Sequence, residues 1–243
     1  MAGCGTVKIM GIVNLSHDSF FADSVAAGVE DALERVEAWF SGGAWMVDLG
    51  PASTRPGAAD VSPEEQWRRL EPVLKRLPEG RYSIDTTSAE VVRRAYGLMG
   101  PFTVNDISAG EDDPAMLPLV AELGLPFIAM HKRGNPRTMD SLCDYPHGVV
   151  AAVEEYFDAF ADRAAGFGIR EWILDPGFGF AKTDEQNWEL LRGLARFRRF
   201  GVPVLAGVAD KRFTHGDTAA AEALAVAGGA DILRCHSWPI MRF

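Results

Sequence analysis

The chain has 243 residues, and its 34 acidic side chains outnumber 24 basic ones, for a formal charge of −10. That balance excludes a general surface for nucleic acid or anionic membranes, so any anion must be held by a local cluster of basic groups. A chain of this length can bury a large core, and barrel domains reach this size as one unit, so residues 1–243 are read as a single domain.

In chain order, short apolar and β-branched runs recur at VKIMGIV (7–13), WMVDLG (45–50), RYSID (81–85), FTVND (102–106), PFIAMH (126–131), EWILD (171–175), PVLAGV (203–208) and DILRCH (231–236). Between them lie segments whose apolar residues repeat every three to four positions, such as DALERVEAWF (31–40), PEEQWRRLEPVLKRL (63–77) and NWELLRGLARF (187–197). Ser62-Pro63 and Thr183 with Asp184, Glu185 and Gln186 are helix starts, and Gly42-Gly43 and Gly228-Gly229 are stops before strands. Strand and helix alternating around eight strands predicts a (β/α)8 TIM barrel. A doubly wound open sheet is the rival, disfavoured by the count of eight and by the absence of a GxGxxG turn. Only SWPIMRF (237–243) follows the eighth run, so the final helix is expected to be missing or rudimentary.

In such a barrel the site lies at the C-terminal ends of the strands. Those ends read Asn14, Asp48, Asp85, Asn105 with Asp106, His131, Asp175, Lys211 just beyond the seventh run, and Arg234 with His236. A single polar strand end is often a local cap, but eight together point to convergence on a ligand. Asp85, Asn105 and Asp175 suit the N–H edge of a flat nitrogen heterocycle, because a carboxylate pairs with an amidine-like edge through two parallel bonds. Arg55, Lys211, Arg234 and His236 suit phosphate. His131 is read as a structural histidine.

These motifs resemble the dihydropteroate synthase family along nearly the whole chain. The resemblance runs from IMGIVNLSHDSF (9–20) through STRPGA (53–58), SIDTTSAEV (83–91), VNDIS (104–108), MHKRGNPRTM (130–139), LDPGFGFAKT (174–183) and GVADKRF (207–213) to ILRCH (232–236). It implies a transferase of folate biosynthesis, a sulfonamide target, that joins a pterin pyrophosphate to p-aminobenzoate. Asp85, Asp175, Lys211 and Arg55 would carry catalysis, and Asn105, Thr54, Pro56, Met130, Phe180, Gly207, Arg234 and His236 would bind substrates. Asn14 would be the protein ligand of Mg2+. In this reading GPASTRPG (50–57) is a stiff loop that closes over the site, and Gly177 and Gly179 turn the chain so that Phe178 and Phe180 lie over the cavity mouth.

The chain also departs from the family pattern. The usual proline of the first loop is His17, the usual Gly-Glu before STRP is Pro51-Ala52, and the usual Ser-Arg ahead of the lysine is Ala209-Asp210. The connection FTHGD (213–217) is short, and a homodimer built on the last helices is an expectation that the short C-terminus bears on directly. A binding-only paralogue that has lost the condensation is therefore a second reading, and a pterin-dependent methyltransferase domain a third. Cys4, Cys143 and Cys235 lack metal or redox spacing, no run reaches the ~18 apolar residues of a membrane helix, and no signal region is evident. A cytoplasmic protein with small-molecule substrates, and neither nucleic-acid nor membrane partners, is expected.

Overall fold

The computed structural model describes residues 6–15, 25–52, 61–134 and 138–239. Among them are the strands β1 (Lys8–Asn14), β2 (Met46–Gly50), β3 (Tyr82–Asp85), β4 (Thr103–Asp106), β5 (Phe127–Met130), β6 (Trp172–Asp175), β7 (Leu205–Ala206) and β8 (Ile232–Cys235). Alternating with them are the helices α1 (Val25–Ser41), α2 (Pro63–Leu74), α3 (Ala89–Met99), α4 (Met116–Leu123), α5 (Val149–Phe167), α6 (Asp184–Arg192) and α7 (Thr218–Ala227). All eight strands pair parallel in the order β6-β5-β4-β3-β2-β1-β8-β7. A bridge between Leu174 and Val204 joins the two ends of that order, which closes the expected TIM barrel.

Strand alternation builds two layers. Side chains at i and i+2 face the same way, so Met10, Met46, Ile128, Ile173, Leu205 and Ile232 fill the barrel interior as one buried apolar cluster. Two residues further along the same strands stand Ile12, Asp48, Met130, Asp175, Gly207 and Arg234. Three of these six, Asp48, Asp175 and Arg234, are charged, and their appearance above the apolar layer marks the floor of the site. The outward residues Val13, Val47, Leu49, Ile84, Val104, Phe127, Leu174, Ala206 and Leu233 join the larger core beneath the helices.

Helix starts follow their side chains. The Ser62 hydroxyl accepts from the Glu65 N–H ahead of α2, with Pro63 in the first turn. Thr183 and Gln186 form a reciprocal capping box on α6. The helix expected over 187–197 instead ends at Arg192, and after Gly193 the chain tightens into a 3-10 segment over Leu194–Phe200. The seventh strand is two residues rather than six, and the N–H of Val204 just before it is taken by the Asp231 carboxylate at 2.9 Å.

Beyond β8 no helix is found among the described residues. Trp238, 42% exposed, instead folds back against the end of α1, its ring 5.1 Å from that of Trp39. Gly42 permits the contact, since a Cβ there would stand 2.2 Å from the Trp238 ring. One aromatic side chain thus covers part of the side where a closing helix would lie.

Candidate active site

Eight of the sequence-predicted residues converge on one pocket at the C-terminal mouth of the barrel. Asp85 comes from β3, Asn105 from β4, Met130 from β5, Asp175 and Phe180 from β6 and its loop, Gly207 and Lys211 from beyond β7, and Arg234 from β8. The pocket holds about 390 Å3 of atom-free space, part of it open to solvent. A wider outer cavity adjoins it, shares Asp85, Phe180, Lys211 and Arg234, and adds Asn14, His236, Ala209, Asp210 and Arg212. Lys211 and Arg234 therefore face both compartments. Thr54, Arg55 and Pro56, and His17 of the first loop, lie outside the described residues.

The polar floor is a wired network. Asp48, fully buried, accepts from Ser83 Oγ at 2.6 Å and Asn105 Nδ2 at 3.1 Å. It also accepts from Arg234 Nε at 2.8 Å and Nη2 at 2.6 Å. Nη2 reaches Asp85 Oδ2 as well, at 2.9 Å. The Ser83 contact follows from register, because Asp48 and Ser83 are partners across β2 and β3 just as Asp85 and Asn105 are across β3 and β4. Arg234 is thus a cation clamped by two carboxylates that still lines both compartments. It fixes one oxygen of Asp85 and leaves the other edge for a ligand.

Burial dominates the electrostatics. Loss of solvent lifts the Asp85 carboxyl to about 7, with Arg234 opposing the rise and Asp48 and Asp106 adding to it. Asp175 is raised for the same reason, against the pull of the Gly177 N–H, which donates to its Oδ1 at 2.8 Å, and of Lys211 and Arg234. Two buried carboxyls whose ionised form needs more donors make a receptor for a ligand rich in N–H groups. Asp106, by contrast, clamps its own loop, accepting from Ser108 N and Oγ, both at 2.7 Å, and from Gly110 N at 2.9 Å.

The loop after β6 shapes the wall. Gly177 and Gly179 have φ of 72° and 79°, and a Cβ at Gly177 would lie 2.0 Å from the His131 carbonyl oxygen. Phe180 faces both compartments, with Lys211 Nζ 4.8 Å from its ring centroid. Phe178 sits deeper than a ring over the mouth would: it is buried in the core, 6.2 Å from the ring of Phe213, and still touches the inner pocket. His131 is buried and held neutral, its pKa well below the usual range through loss of solvent and the charges of Lys182 and Arg133.

The structural roles of two residues around the pocket escape sequence reasoning. Asp48 is visible as a polar strand end, but its part as the hub for Arg234 and Asn105 depends on register. Lys182 reads as an ordinary loop lysine, yet only 4% of it is exposed. Its burial has a faint signal in the glycine-rich run before it, which brings the chain back across the barrel mouth.

Among the described residues no group of three or more His, Cys, Asp or Glu side chains could hold a metal ion, and no helix is long and apolar enough to cross a membrane.

Fold and pocket together define a barrel enzyme whose ligand site, at the strand C-termini, is built of buried carboxylates, an amide and paired cations. Comparison with known proteins narrows the class. The family described as "Pterin binding enzyme" matches residues 10–236. The dihydropteroate synthase of Synechocystis sp. is 40% identical over 245 residues, covering 94% of this chain and 84% of that protein. The crystal structure of the Yersinia pestis dihydropteroate synthase with a sulfonamide drug complex superposes with a TM-score of 0.87 at 30% identity, covering 97% of this chain and 90% of that one. The Xanthomonas albilineans dihydropteroate synthase with 4-aminobenzoic acid gives 0.86 at 35% identity, covering 96% and 89%. The chain belongs to the pterin-binding enzyme family, and within it to the dihydropteroate synthases, which are transferases.

Proposed function

We propose that this site condenses 6-hydroxymethyl-7,8-dihydropterin pyrophosphate with p-aminobenzoate to give 7,8-dihydropteroate and pyrophosphate. The convergence of Asp85, Asn105, Asp175 and Lys211 on one buried pocket carries the reading. The pterin would lie in the inner pocket with its N–H edge toward Asp85 and Asp175 and its flat face toward Phe180 and Met130. The arylamine would enter through the outer cavity, where the known acceptor-bound relative supports p-aminobenzoate.

The reaction breaks the bond between the exocyclic methylene carbon and the pyrophosphate oxygen, which leaves with the electron pair. The arylamine nitrogen lone pair forms the new C–N bond, and its proton goes to solvent. Positive charge building on the pterin is stabilised by the two carboxylates, and Lys211, open to both compartments, faces pterin and leaving group together. Arg55 and His236 would bind the pyrophosphate, with Thr54 and Pro56 beside the acceptor and Gly207 leaving room for the ring.

Asn14 at the end of β1, in the outer cavity near Arg234 and His236, offers one amide oxygen. A single protein oxygen suits Mg2+, which keeps several waters and takes its remaining ligands from substrate phosphates. When bound there, Mg2+ would supply charge neutralisation for the departing pyrophosphate. We further propose cytoplasmic action, a homodimer, and competition of sulfonamides with p-aminobenzoate.

Pyrophosphate release and dihydropteroate formation, followed in the same samples with and without p-aminobenzoate, test the reading. Matched release and product that both depend on p-aminobenzoate are expected. Pterin binding without product would instead favour a binding-only paralogue, the reading to which Ala209 and Asp210 at the acceptor side lend weight.

A further inference from the structure

Three residues in the short loop after β6 have left-handed backbone: Gly177 at 72°, Gly179 at 79° and Ala181 at 50°. Ala181 is strained there, because an L side chain resists positive φ. The same loop orients Asp175 through the Gly177 N–H and supplies the Phe180 wall. Such a conformation persists only if its surroundings enforce it.

Tyr145 donates its hydroxyl to the Ala181 carbonyl at 2.9 Å and Asn187 Oδ1 accepts from the Gly179 N–H at 2.7 Å, but Lys182 is the group that gathers several parts of the loop at one atom. Its Nζ donates to the carbonyls of Gly177 at 2.9 Å and Phe180 at 3.0 Å, and stands 3.0 Å from His131 Nδ1 at the end of β5. Three acceptors match the three N–H donors of an ammonium. The two carbonyls span the turn up to the residue before Ala181, and the histidine ties it to the neighbouring strand.

We infer that Lys182 is a positioning residue for the pterin half of the reaction: it holds the β6–α6 loop so that Gly177 keeps Asp175 aimed into the pocket and Phe180 keeps its wall. The inference rests on the reading of the inner pocket as a pterin site. Lys182 borders the outer cavity, but its Nζ points into the loop, where protein acceptors engage its donors, so its part is to hold the loop.

Electrostatics supports the same part. Burial lowers the Lys182 ammonium to about 7, Asp175 and then Cys143 draw it back up, and Arg133 and then Lys211 push it down. With His131 beside it, these are the charged and titratable groups that face it. In return Lys182 is one of the cations that favour ionised Asp175.

The test uses the intact enzyme and 6-hydroxymethyl-7,8-dihydropterin, which lacks pyrophosphate and so reports the pterin half alone. Lys182→Met is expected to weaken binding of this probe at least tenfold and to raise the KM of the pterin substrate while leaving that of p-aminobenzoate within about threefold. The acid limb of the binding profile should move to higher pH, because Asp175 loses a nearby cation. Lys182→Gln, which keeps donors without charge, should recover part of the affinity and retain the pH displacement. His131→Leu removes one acceptor, so a smaller weakening of the same sign is expected even if the Lys182 variants do not fold. Wild-type affinity and pH profile in His131→Leu or Lys182→Met would overturn the inference. So would equal rises in both KM values alongside a lower Tm, which is plain destabilisation. Failure of the unaltered protein to bind the probe at any pH would overturn the pterin reading itself and the inference with it.

Discussion

Asp48 touches no solvent and faces no acceptor cavity, yet its Oδ2 places both Asn105 and Arg234, while Oδ1 accepts from Ser83. An Asp48→Asn substitution keeps the shape and removes the charge. Arg234 then has Asp85 as its remaining carboxylate, and Asp85 is drawn toward it at the expense of the pocket. Losing a charged hydrogen-bond partner inside a protein costs roughly 1–3 kcal/mol, and the expected outcome is dihydropterin affinity weakened about 10- to 100-fold. Calorimetric titration of wild type and variant checks this. Unchanged affinity would mean that Asn105 and Arg234 hold their positions without Asp48. Residue type alone pointed to phosphate for Arg234 and gave no sign of its carboxylate partners Asp48 and Asp85, which come from other strands.

The element that most directly shapes the site is the turn between β6 and α6. Gly177→Ala there combines positive φ with a Cβ 2.0 Å from a backbone oxygen, an obstacle that no rotamer change can relieve. Loss of dihydropterin binding is expected, with α6 still capped by Thr183 and Gln186; far-UV circular dichroism beside a binding titration would show one without the other. At the cap itself, Gln186→Ala removes the bond to the Thr183 N–H at 2.9 Å and the one to the Cys143 carbonyl at 2.8 Å. That change should cost about 1 kcal/mol in urea unfolding and leave turnover near wild type. A pterin affinity lowered as strongly as by Gly177→Ala would show that the cap, too, holds the pocket. The strands were legible because each is a short apolar run closed by a polar group, with glycine or proline near by, and the barrel followed from their alternation with helices. Met130 and Gly207 came from the family resemblance and Phe180 from the glycine-flanked loop, whereas Asp85, Asn105, Asp175, Lys211 and Arg234 were legible because strand ends share one face. Lys182 and the Asp48 network were not, because they depend on which side chains meet across neighbouring strands, and single-strand patterns carry no register.

At the scale of the whole molecule, the site makes stability depend on pH in an unusual direction. Asp85, raised to about 7, and Asp106, raised to about 6, keep their protons in the folded state over a range where unfolded carboxyls have lost theirs. The folded state holds more protons between about pH 4 and 7, so these two groups stabilise it at the acid end and lose that contribution as pH rises. Lys182, lowered to about 7 from 10.5, has the opposite sign: the unfolded lysine holds the extra proton above 7, and stability grows from there toward 10.5. Together these groups place a minimum near neutrality in the unliganded protein, where a cationic or N–H-rich ligand would relieve the buried carboxylates. Asp85→Asn removes the larger of the two carboxyl contributions. Its Tm should be flatter than that of wild type between pH 4 and 8 and higher at pH 8, by a stabilisation on the order of 2 kcal/mol. Turnover should fall at least 100-fold. Scanning calorimetry across that range, paired with the pyrophosphate-release assay, reads both. A variant whose Tm curve parallels the wild type would show that Arg234 keeps Asp85 ionised throughout, and a variant that retains full turnover would remove Asp85 from the stabilisation of the pterin cation.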